Sequence, residues 1–190
     1  MTASPSKRVL IPLAPGVEEM EAVILADVLR RAGIDVVLAG VDGPGPVVCS
    51  RKVRLLPDCA LADCQGGFDL VLLPGGAAGA RALADSAPVR ELLQAQERAS
   101  RLVGAICAAP IALRAAGVGQ GRSLTSHPSV QGELAGFGRY LEQRVVRDGT
   151  LLTSRGPGTA FEFALACIEA LLGKDAADRV AGPMLLPAPR

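Results

Sequence analysis

Residues 102–117, with the sequence LVGAICAAPIALRAAG, contain an apolar run, one cysteine and a helical segment closed by a glycine. The run at 102–106 has the length and composition of a buried strand, and 108–116 is predicted as a helix with Pro110 in its first turn. Gly117 stands where the glycine that ends a helix is expected. This stretch therefore predicts one strand-to-helix unit of an α/β protein.

The same alternation extends along the rest of the chain. Strands are predicted at 8–13, 35–39 and 69–73 and near 123–125, 144–147 and 151–153, and helices at 18–32, 83–100 and 159–172. Two short runs, 47–49 and 53–56, are predicted as a hairpin added to the sheet. Strands alternating with helices indicate a mostly parallel sheet with helices on both faces, in one domain over residues 1–190. Ligands of such sheets bind beyond the carboxyl ends of the strands.

The composition argues against several function classes. Hydrophobic residues make up 49% of the 190 residues and charged residues 21%, which indicates a globular chain. Aromatic residues are only 3% and the formal charge is +1, so neither stacking platforms nor nucleic-acid binding is indicated. The longest apolar stretch, 102–113, is shorter than the about 20 residues of a membrane span. The N-terminus lacks a signal-peptide core, so we expect a soluble intracellular protein that binds a small molecule or another protein.

Cys107 is the strongest candidate for chemistry. The chain has five cysteines, an odd number without zinc-site spacing, so no metal site is predicted and thiol chemistry falls on single cysteines. Cys107 lies where a predicted buried strand turns into a helix, the position of a nucleophile elbow with cysteine in place of serine. Amides at the helix N-terminus are expected to lower the pKa of its thiol. The alternative is a buried, inert cysteine.

Two other strand ends carry candidate residues. Gly75 and Gly76 follow the strand at 69–73 and would let backbone amides approach a ligand closely, although Gly-Gly is also common turn chemistry. His127 is the only histidine and follows the strand near 123–125, which is expected in the same sheet. Any histidine-assisted cysteine chemistry in one protomer requires His127, whereas a lone histidine is more often structural or exposed.

Glu21 interrupts an apolar stripe in the first predicted helix. The stripe has i, i+3, i+4 spacing and consists of Val17, Met20, Ile24, Leu25 and Val28. A carboxyl group buried among apolar neighbours has a raised pKa and remains a proton donor near neutral pH. Beside a cysteine, Glu21 would donate a hydrogen bond to the thiolate. The alternative is an edge glutamate that reaches solvent.

Six segments of the chain combine into one pattern: KRVLIPLAPGVEEMEAV, VVCSRKV, LVLLPGG, VGAICAAP, TSHP and LLTSRGPGTAFEFAL. Together they resemble the DJ-one type protein deglycases of the ThiJ/PfpI superfamily, over about residues 7–186. The resemblance implies a flavodoxin-like three-layer α/β sandwich that forms a homodimer. It also implies that Cys107 is the reactive cysteine and that Glu21 and His127 are its catalytic partners. Oxyanion binding is assigned in this way to three amides, those of Gly75, Gly76 and Ala108.

The resemblance also implies the activity, without a cofactor or metal. It implies a glutathione-independent glyoxalase that acts on methylglyoxal and glyoxal, and a deglycase that removes their adducts from proteins and nucleotides. The alternative is a redox sensor and redox-dependent chaperone that works through oxidation of Cys107. A cysteine peptidase is a weaker alternative, because Ala108 replaces the histidine that follows the elbow cysteine in peptidase relatives. The implied location is the cytoplasm, with the nucleus and mitochondrion as further compartments.

Other positions match or depart from the family pattern. Cys49 matches a second family thiol, and Arg31 and Arg51 match residues near the dimer interface or pocket. Leu56 stands where a third family cysteine is expected, so thiol chemistry is not transferred to that position. Three cysteines are additional to the pattern: Cys59, Cys64 and Cys167.

Overall fold

The computed structural model describes residues 7–186, and within them the chain forms eleven strands. They are β1 (Arg8–Leu13), β2 (Asp35–Gly40), β3 (Val47–Val48), β4 (Arg54–Leu55), β5 (Cys59–Ala60), β6 (Leu70–Leu73), β7 (Leu102–Ile106), β8 (Ser123–Leu124), β9 (Arg139–Tyr140), β10 (Val145–Asp148) and β11 (Leu151–Ser154). Seven of them form one sheet in the order β10-β11-β7-β6-β1-β2-β5. Neighbours in this sheet are parallel except β10 and β11, which are antiparallel. The predicted mostly parallel sheet is confirmed.

Six α-helices cover this sheet. They are α1 (Glu19–Arg31), α2 (Ala77–Asp85), α3 (Ala87–Arg98), α4 (Pro110–Ala116), α5 (Ala160–Leu172) and α6 (Lys174–Ala181). Helix α5 packs against α1 and α6, whereas α2, α3 and α4 pack together as a second group. All residues of β6 are buried, so both faces of the sheet are covered at its centre. The predicted flavodoxin-like three-layer sandwich is confirmed, and no helix between residues 7 and 186 is long and apolar enough to cross a membrane.

Local signals explain where the helices begin and end. Glu18 caps α1, because its carboxylate accepts the amide of Glu21 at 2.8 Å. Ser86 caps α3 through the amide of Val89 in the same way. Gly117 ends α4 with a φ of 70°, a left-handed conformation that glycine adopts without steric cost. These boundaries agree with the predicted ends of the three helices to within a few residues.

The predicted hairpin forms, but not where it was expected. Strands β3 and β4 pair antiparallel as a separate two-stranded sheet, so their predicted addition to the main sheet is wrong. The hairpin packs on the start of α1 instead: the amide of Gly16 donates to the carbonyl of Val48 at 2.9 Å, and that of Ser50 to Val17 at 2.8 Å. One edge of the main sheet is β5, whose two residues are too few to show the alternation of a strand.

The predicted sheet placement of the segment before His127 is also wrong. Strand β8 pairs with β9 in a second separate sheet, because its residues hydrogen-bond to β9 rather than to the central strands. The segment remains close to the sheet, since the amide of Thr125 donates to the hydroxyl of Thr153 in β11 at 2.8 Å. Helix α6 and strands β5 and β9 are also absent from the prediction. The predicted helix at 83–100 joins the end of α2 to α3, although the cap at Ser86 separates the two helices.

Candidate active site

Cys107 occupies a sharp turn between β7 and α4. Its φ is 63°, in the left-handed region that a residue other than glycine adopts at an energetic cost and that is typical of strained functional turns. The amide of Cys107 donates to the carbonyl of Ser154 at 3.0 Å, and the carbonyl of Cys107 accepts the amide of His127 at 2.7 Å. The turn is therefore held from β11 on one side and from the segment after β8 on the other. This is the geometry of a nucleophile elbow.

Gly75 has no side chain, which leaves room for the side chains of Cys107 and Glu21 to approach each other beside it. A side chain here would place its Cβ 2.5 Å from the Cβ of Cys107 and 2.8 Å from Oε2 of Glu21. Both distances are shorter than van der Waals contact, so only glycine fits without displacement. The next residue, Gly76, has a φ of 85° and caps α2. The two glycines thus permit a close approach as well as forming a turn.

Glu21 is fully buried in the first turn of α1. Its Oε2 accepts the amide of Gly75 at 2.6 Å, whereas its Oε1 has no hydrogen-bond partner. Burial raises the pKa of Glu21 to about 7, although hydrogen bonds from the Gly75 amide and the Cys107 thiol act in the opposite direction. The carboxyl group can therefore gain or lose a proton near neutral pH. An edge glutamate that reaches solvent is excluded.

The thiol of Cys107 lies against this carboxyl in a largely buried position, with 9% of the residue exposed. Burial, together with the negative charge of Glu21, raises the pKa of the Cys107 thiol to about 12. The amides of Gly76 and Ala108 act in the opposite direction, as expected at helix N-termini. The amides act on the pKa in the predicted direction, but desolvation and the charge of Glu21 outweigh them, so the pKa is raised overall and not lowered.

Protonation of Glu21 removes one of the causes that hold the thiol neutral. The pair loses its first proton near pH 7, and the resulting single charge can reside on the carboxylate or on the sulfur. With the charge on sulfur, Glu21 is neutral and can donate a hydrogen bond to the thiolate of Cys107. The site can therefore couple formation of the Cys107 thiolate to a buried proton donor.

The three amides predicted to bind an oxyanion do not all contact the same group in the structure. The amide of Gly75 is engaged by Glu21, so it is not free to bind a substrate oxygen. The amides of Gly76 and Ala108 are directed at the sulfur of Cys107. An oxygen on a carbon bonded to that sulfur would lie within their reach. The amides of Gly76 and Ala108 therefore remain candidates to donate hydrogen bonds to an oxyanion.

His127 contacts the elbow through its backbone rather than its ring. Its Nδ1 lies 2.8 Å from the hydroxyl of Ser129 and accepts the amide of Ser129 at 3.2 Å. The side chain is exposed, with Cδ2 close to Gly156. Across the part of the chain that the structure describes, no hydrogen bond joins the ring to the thiol of Cys107 or to Glu21. The direct side-chain partner of Cys107 is therefore Glu21.

Glu19 is a second buried carboxyl group, which the sequence does not single out. Its carboxylate accepts the hydroxyl of Ser50 and the amide of Arg51, both at 2.8 Å. Burial would raise the pKa of Glu19, but its hydrogen bonds lower it overall. Glu19 is therefore ionised and holds the β3–β4 hairpin on α1. In the sequence, it is indistinguishable from an ordinary charge at a helix N-terminus.

The remaining predicted residues lie outside the Cys107–Glu21 contact. Cys49 is buried in the hairpin, where burial raises the pKa of its thiol and its Sγ is 3.8 Å from the carbonyl of Val47. Arg31 forms an exposed ion pair with Asp27 at 2.7 Å. Between residues 7 and 186 no group of three or more His, Cys, Asp or Glu side chains is placed to hold a metal ion.

Known proteins resemble the chain over nearly its whole length. A model of the DJ-1/PfpI family matches residues 7–170. The Parkinson disease protein 7 homolog of Danio rerio is 49% identical over 184 residues, covering 95% of this chain and 97% of the relative. The glutathione-independent glyoxalase DJR-1.2 of Caenorhabditis elegans is 39% identical over 188 residues, 98% of this chain and 99% of its own length. The crystal structure of Drosophila melanogaster DJ-1beta superposes with a TM-score of 0.94 at 50% identity, covering 96% of this chain and 100% of that one.

Proposed function

The chain belongs to the DJ-1/PfpI family, and from this premise we propose that it is a Cys107-dependent, glutathione-independent glyoxalase that also removes methylglyoxal and glyoxal adducts from proteins and nucleotides. The relative in Caenorhabditis elegans that is named a glutathione-independent glyoxalase supports an enzymatic activity of this kind. The observation that carries the proposal is that the Cys107 thiol, the Glu21 carboxyl and the Gly75 amide contact one another in a buried site.

The proposed reaction begins with the thiolate of Cys107. The sulfur attacks the aldehyde carbon of the 2-oxoaldehyde, a C–S bond forms, and the carbonyl oxygen becomes an oxyanion. The amides of Gly76 and Ala108 donate hydrogen bonds to this oxygen. The proton of Glu21 neutralises it, which leaves a hemithioacetal on Cys107 and a carboxylate at Glu21.

Glu21 then serves as the proton carrier between two carbon atoms. Its carboxylate removes the proton from the carbon bonded to sulfur and, through an enediol, returns a proton to the neighbouring carbon. The product is the thioester of a 2-hydroxy acid. Water attacks this thioester, the C–S bond breaks, and lactate or glycolate leaves with the Cys107 thiol restored. One carbon is oxidised while its neighbour is reduced, so no external electron acceptor is needed.

A glycated amine reaches the same hemithioacetal by a different first step. The thiolate of Cys107 displaces the amine from the hemiaminal carbon, the C–N bond breaks, and the leaving amine takes a proton. His127, exposed beside the elbow, is proposed to supply that proton or to take one from the attacking water. The repaired side chain and the hydroxy acid are the two products.

Lactate formation from methylglyoxal tests the glyoxalase proposal. In a buffer without glutathione and with a metal chelator, we expect the wild-type protein to form many equivalents of lactate per chain. Cys59→Ser, which changes a half-buried cysteine outside the site, should retain this rate, and Cys107→Ser should lose it. Full turnover by Cys107→Ser contradicts the proposal.

Release of the free amine from a preformed methylglyoxal adduct of acetyl-lysine tests the deglycase part separately. If the protein acts directly on the adduct, the free amine should be released faster than the adduct dissociates by itself, at a rate proportional to the protein concentration. A release rate equal to spontaneous dissociation at every protein concentration shows that only free aldehyde is consumed. That result removes the deglycase part and leaves the glyoxalase part intact.

Redox sensing, with redox-dependent chaperone activity, is the second candidate function. The observation that favours it is the pair of amides directed at the Cys107 sulfur, because they would also bind the oxygens of a sulfinate. Mild peroxide should add about 32 Da to the peptide containing Cys107 before any other cysteine peptide gains oxygen. Uniform oxidation of all cysteine peptides contradicts the sensor function. For both functions we propose the cytoplasm, nucleus and mitochondrion as locations.

A homodimer is proposed to form through one apolar surface. Met20 and Val23 of α1 and Val48 and Val53 of the hairpin region are about half exposed, and Glu19 ties the two elements together. Exposed apolar patches of this kind mark interaction sites. Light scattering should give twice the mass of one chain, and Val23→Arg should shift it to the mass of one chain. A wild-type monomer at micromolar concentration contradicts the dimer.

A further inference from the structure

Two cysteines outside the active site face each other at the edge of the main sheet. The Sγ of Cys59 lies 3.4 Å from the Sγ of Cys64. Cys59 is the first residue of β5, the edge strand that pairs with β2. Cys64 caps the C-terminal end of the short 3-10 helix Leu61–Asp63, which follows β5. Both side chains are half-buried. We propose that Cys59 and Cys64 are a redox-active dithiol that closes reversibly to an intramolecular disulfide.

The first cysteine of the pair is anchored by the sheet. The residue before it, Asp58, donates its amide to the carbonyl of Leu38 at 2.8 Å and accepts the amide of Leu38 on its carboxylate at 2.9 Å. Cys59 itself is in register with Ala39 of β2. This double attachment leaves the backbone of Cys59 little freedom to move.

The second cysteine is attached more loosely. Cys64 leads into the exposed residues 65–67, whose carbonyls at Gln65 and Gly67 accept long hydrogen bonds of 3.2 and 3.5 Å from Arg8. A disulfide requires sulfur atoms about 2.05 Å apart, so the two must approach by roughly 1.4 Å. Rotation of the Cys64 side chain, with a small shift of this loosely held turn, brings it toward the fixed Cys59.

Oxidation by a peroxide supplies a balanced route to the disulfide. The thiolate of one cysteine attacks the peroxide O–O bond, becomes a sulfenic acid and releases water or an alcohol. The second thiol attacks the sulfenic sulfur, the S–S bond forms, and water leaves with the remaining proton. A low-molecular-weight thiol reverses the reaction by two exchange steps that reduce the disulfide and oxidise two molecules of the reductant.

The environment of Cys64 makes its own thiol slow to ionise. Burial and the neighbouring Cys59 raise the pKa of Cys64 to about 12, although the positive charge of Arg8 acts in the opposite direction. The thiolate of Cys64 is therefore scarce at neutral pH, and oxidation that begins at Cys64 should accelerate as the pH rises from 7 to 9. The closed ring would contain only six residues, so the disulfide restricts the unfolded chain less than a disulfide that closes a long loop would.

Mass spectrometry on the full-length protein tests the proposal directly. Trypsin leaves Cys59 and Cys64 together in the peptide 55–81 and places Cys107 in the separate peptide 102–114. After hydrogen peroxide treatment and blocking of free thiols, we expect peptide 55–81 to be unblocked and lighter by about 2 Da, the mass of two hydrogens. Dithiothreitol before blocking should restore two blocked thiols.

Four variants make the test specific. Cys59→Ser and Cys64→Ser should never show the mass loss in peptide 55–81, whereas Cys49→Ser and Cys107→Ser should show it at the wild-type level. Two blocked thiols in peptide 55–81 after Cys107 has been fully oxidised overturn the proposal. Cross-links between chains at Cys59 or Cys64, without the intramolecular form, also overturn it. Methylglyoxal turnover by Cys59→Ser and Cys64→Ser should stay unchanged, so failure here leaves the proposed enzyme function untouched.

Discussion

Glu19 and Glu21 are two buried carboxyl groups in the same turn of α1, yet their pKa values move in opposite directions. Glu19 faces the hairpin and accepts hydrogen bonds from the Ser50 hydroxyl and the Arg51 amide, and its pKa is lowered. Glu21 faces the elbow and accepts one amide hydrogen bond, from Gly75, while its Oε1 has no partner, and its pKa is raised to about 7. Both groups are buried, but Glu21 lies deeper and has fewer hydrogen-bond donors, so deeper burial and fewer donors together raise its pKa. One carboxylate holds structure together, and the other is available for proton transfer.

Replacing Glu21 should have the largest effect on stability. Its pKa is about 7 in the folded protein and near 4.5 when unfolded, so the free energy of unfolding falls as the pH rises from 4.5 to 7. At about 1.4 kcal/mol per pH unit, the loss is on the order of 3 kcal/mol. Glu21→Gln lacks this titration, so urea unfolding should show the variant to be more stable than wild type at pH 8 and the advantage to shrink at pH 5. An advantage that is independent of pH contradicts the assigned pKa.

Replacing Gly75 should disrupt the side of α1 that carries Glu21. The added methyl group of Gly75→Ala overlaps with Cys107 and with the Glu21 carboxylate, so we expect a cost of about 1–3 kcal/mol in unfolding free energy. Misplacement of the thiol should lower methylglyoxal turnover by about 100-fold. Gly132→Ala, where an added Cβ meets nothing within 4 Å, is the matched control and should change neither value. Wild-type turnover by Gly75→Ala argues against the Cys107–Glu21 contact.

Replacing Glu19 should give the smallest of the three changes in stability. It should destabilise the protein, whereas replacing Glu21 should stabilise it at pH 8. Glu19→Gln weakens the charge-assisted hydrogen bonds to Ser50 and Arg51, so the unfolding free energy should fall by about 1–2 kcal/mol at pH 7. Turnover should stay within about twofold of wild type, since Glu19 does not touch the thiol. Glu162→Gln, which breaks an exposed ion pair with Arg144, should change stability less. A stabilised Glu19→Gln protein removes the contrast between the two carboxylates.

The sequence predicts the long elements of this fold and misses the short ones. β1, β7 and α5 carry continuous apolar runs or a helical period, and each lies within about two residues of its predicted position. β5 has only two residues, so no alternation can be seen in it. The alanine-rich residues of α2 resemble a loop after Gly75-Gly76, and only the cap at Ser86 separates this helix from the next.

The sequence also predicts the residues that meet at the candidate site, but not their charge states. Cys107 follows from its place between a strand and a helix, and Glu21 from its place in an apolar stripe. The pKa of the Cys107 thiol depends on desolvation and on a carboxylate 86 positions earlier in the chain, so no local pattern contains it. The ring of His127 is held by Ser129 in a 3-10 turn, an arrangement that spacing does not encode.

The rate at which Cys107 reacts with iodoacetamide, measured from pH 5 to 9 by mass spectrometry of peptide 102–114, tests the central claim most directly. The wild-type rate should rise through an inflection near pH 7 and then level off, because the first proton leaves the Cys107–Glu21 pair there. His127→Asn, which removes the only imidazole of the chain, should keep the inflection. In Glu21→Gln the inflection should vanish and the rate should rise with pH throughout. An inflection near pH 7 that persists in Glu21→Gln would show that Glu21 does not control the thiol.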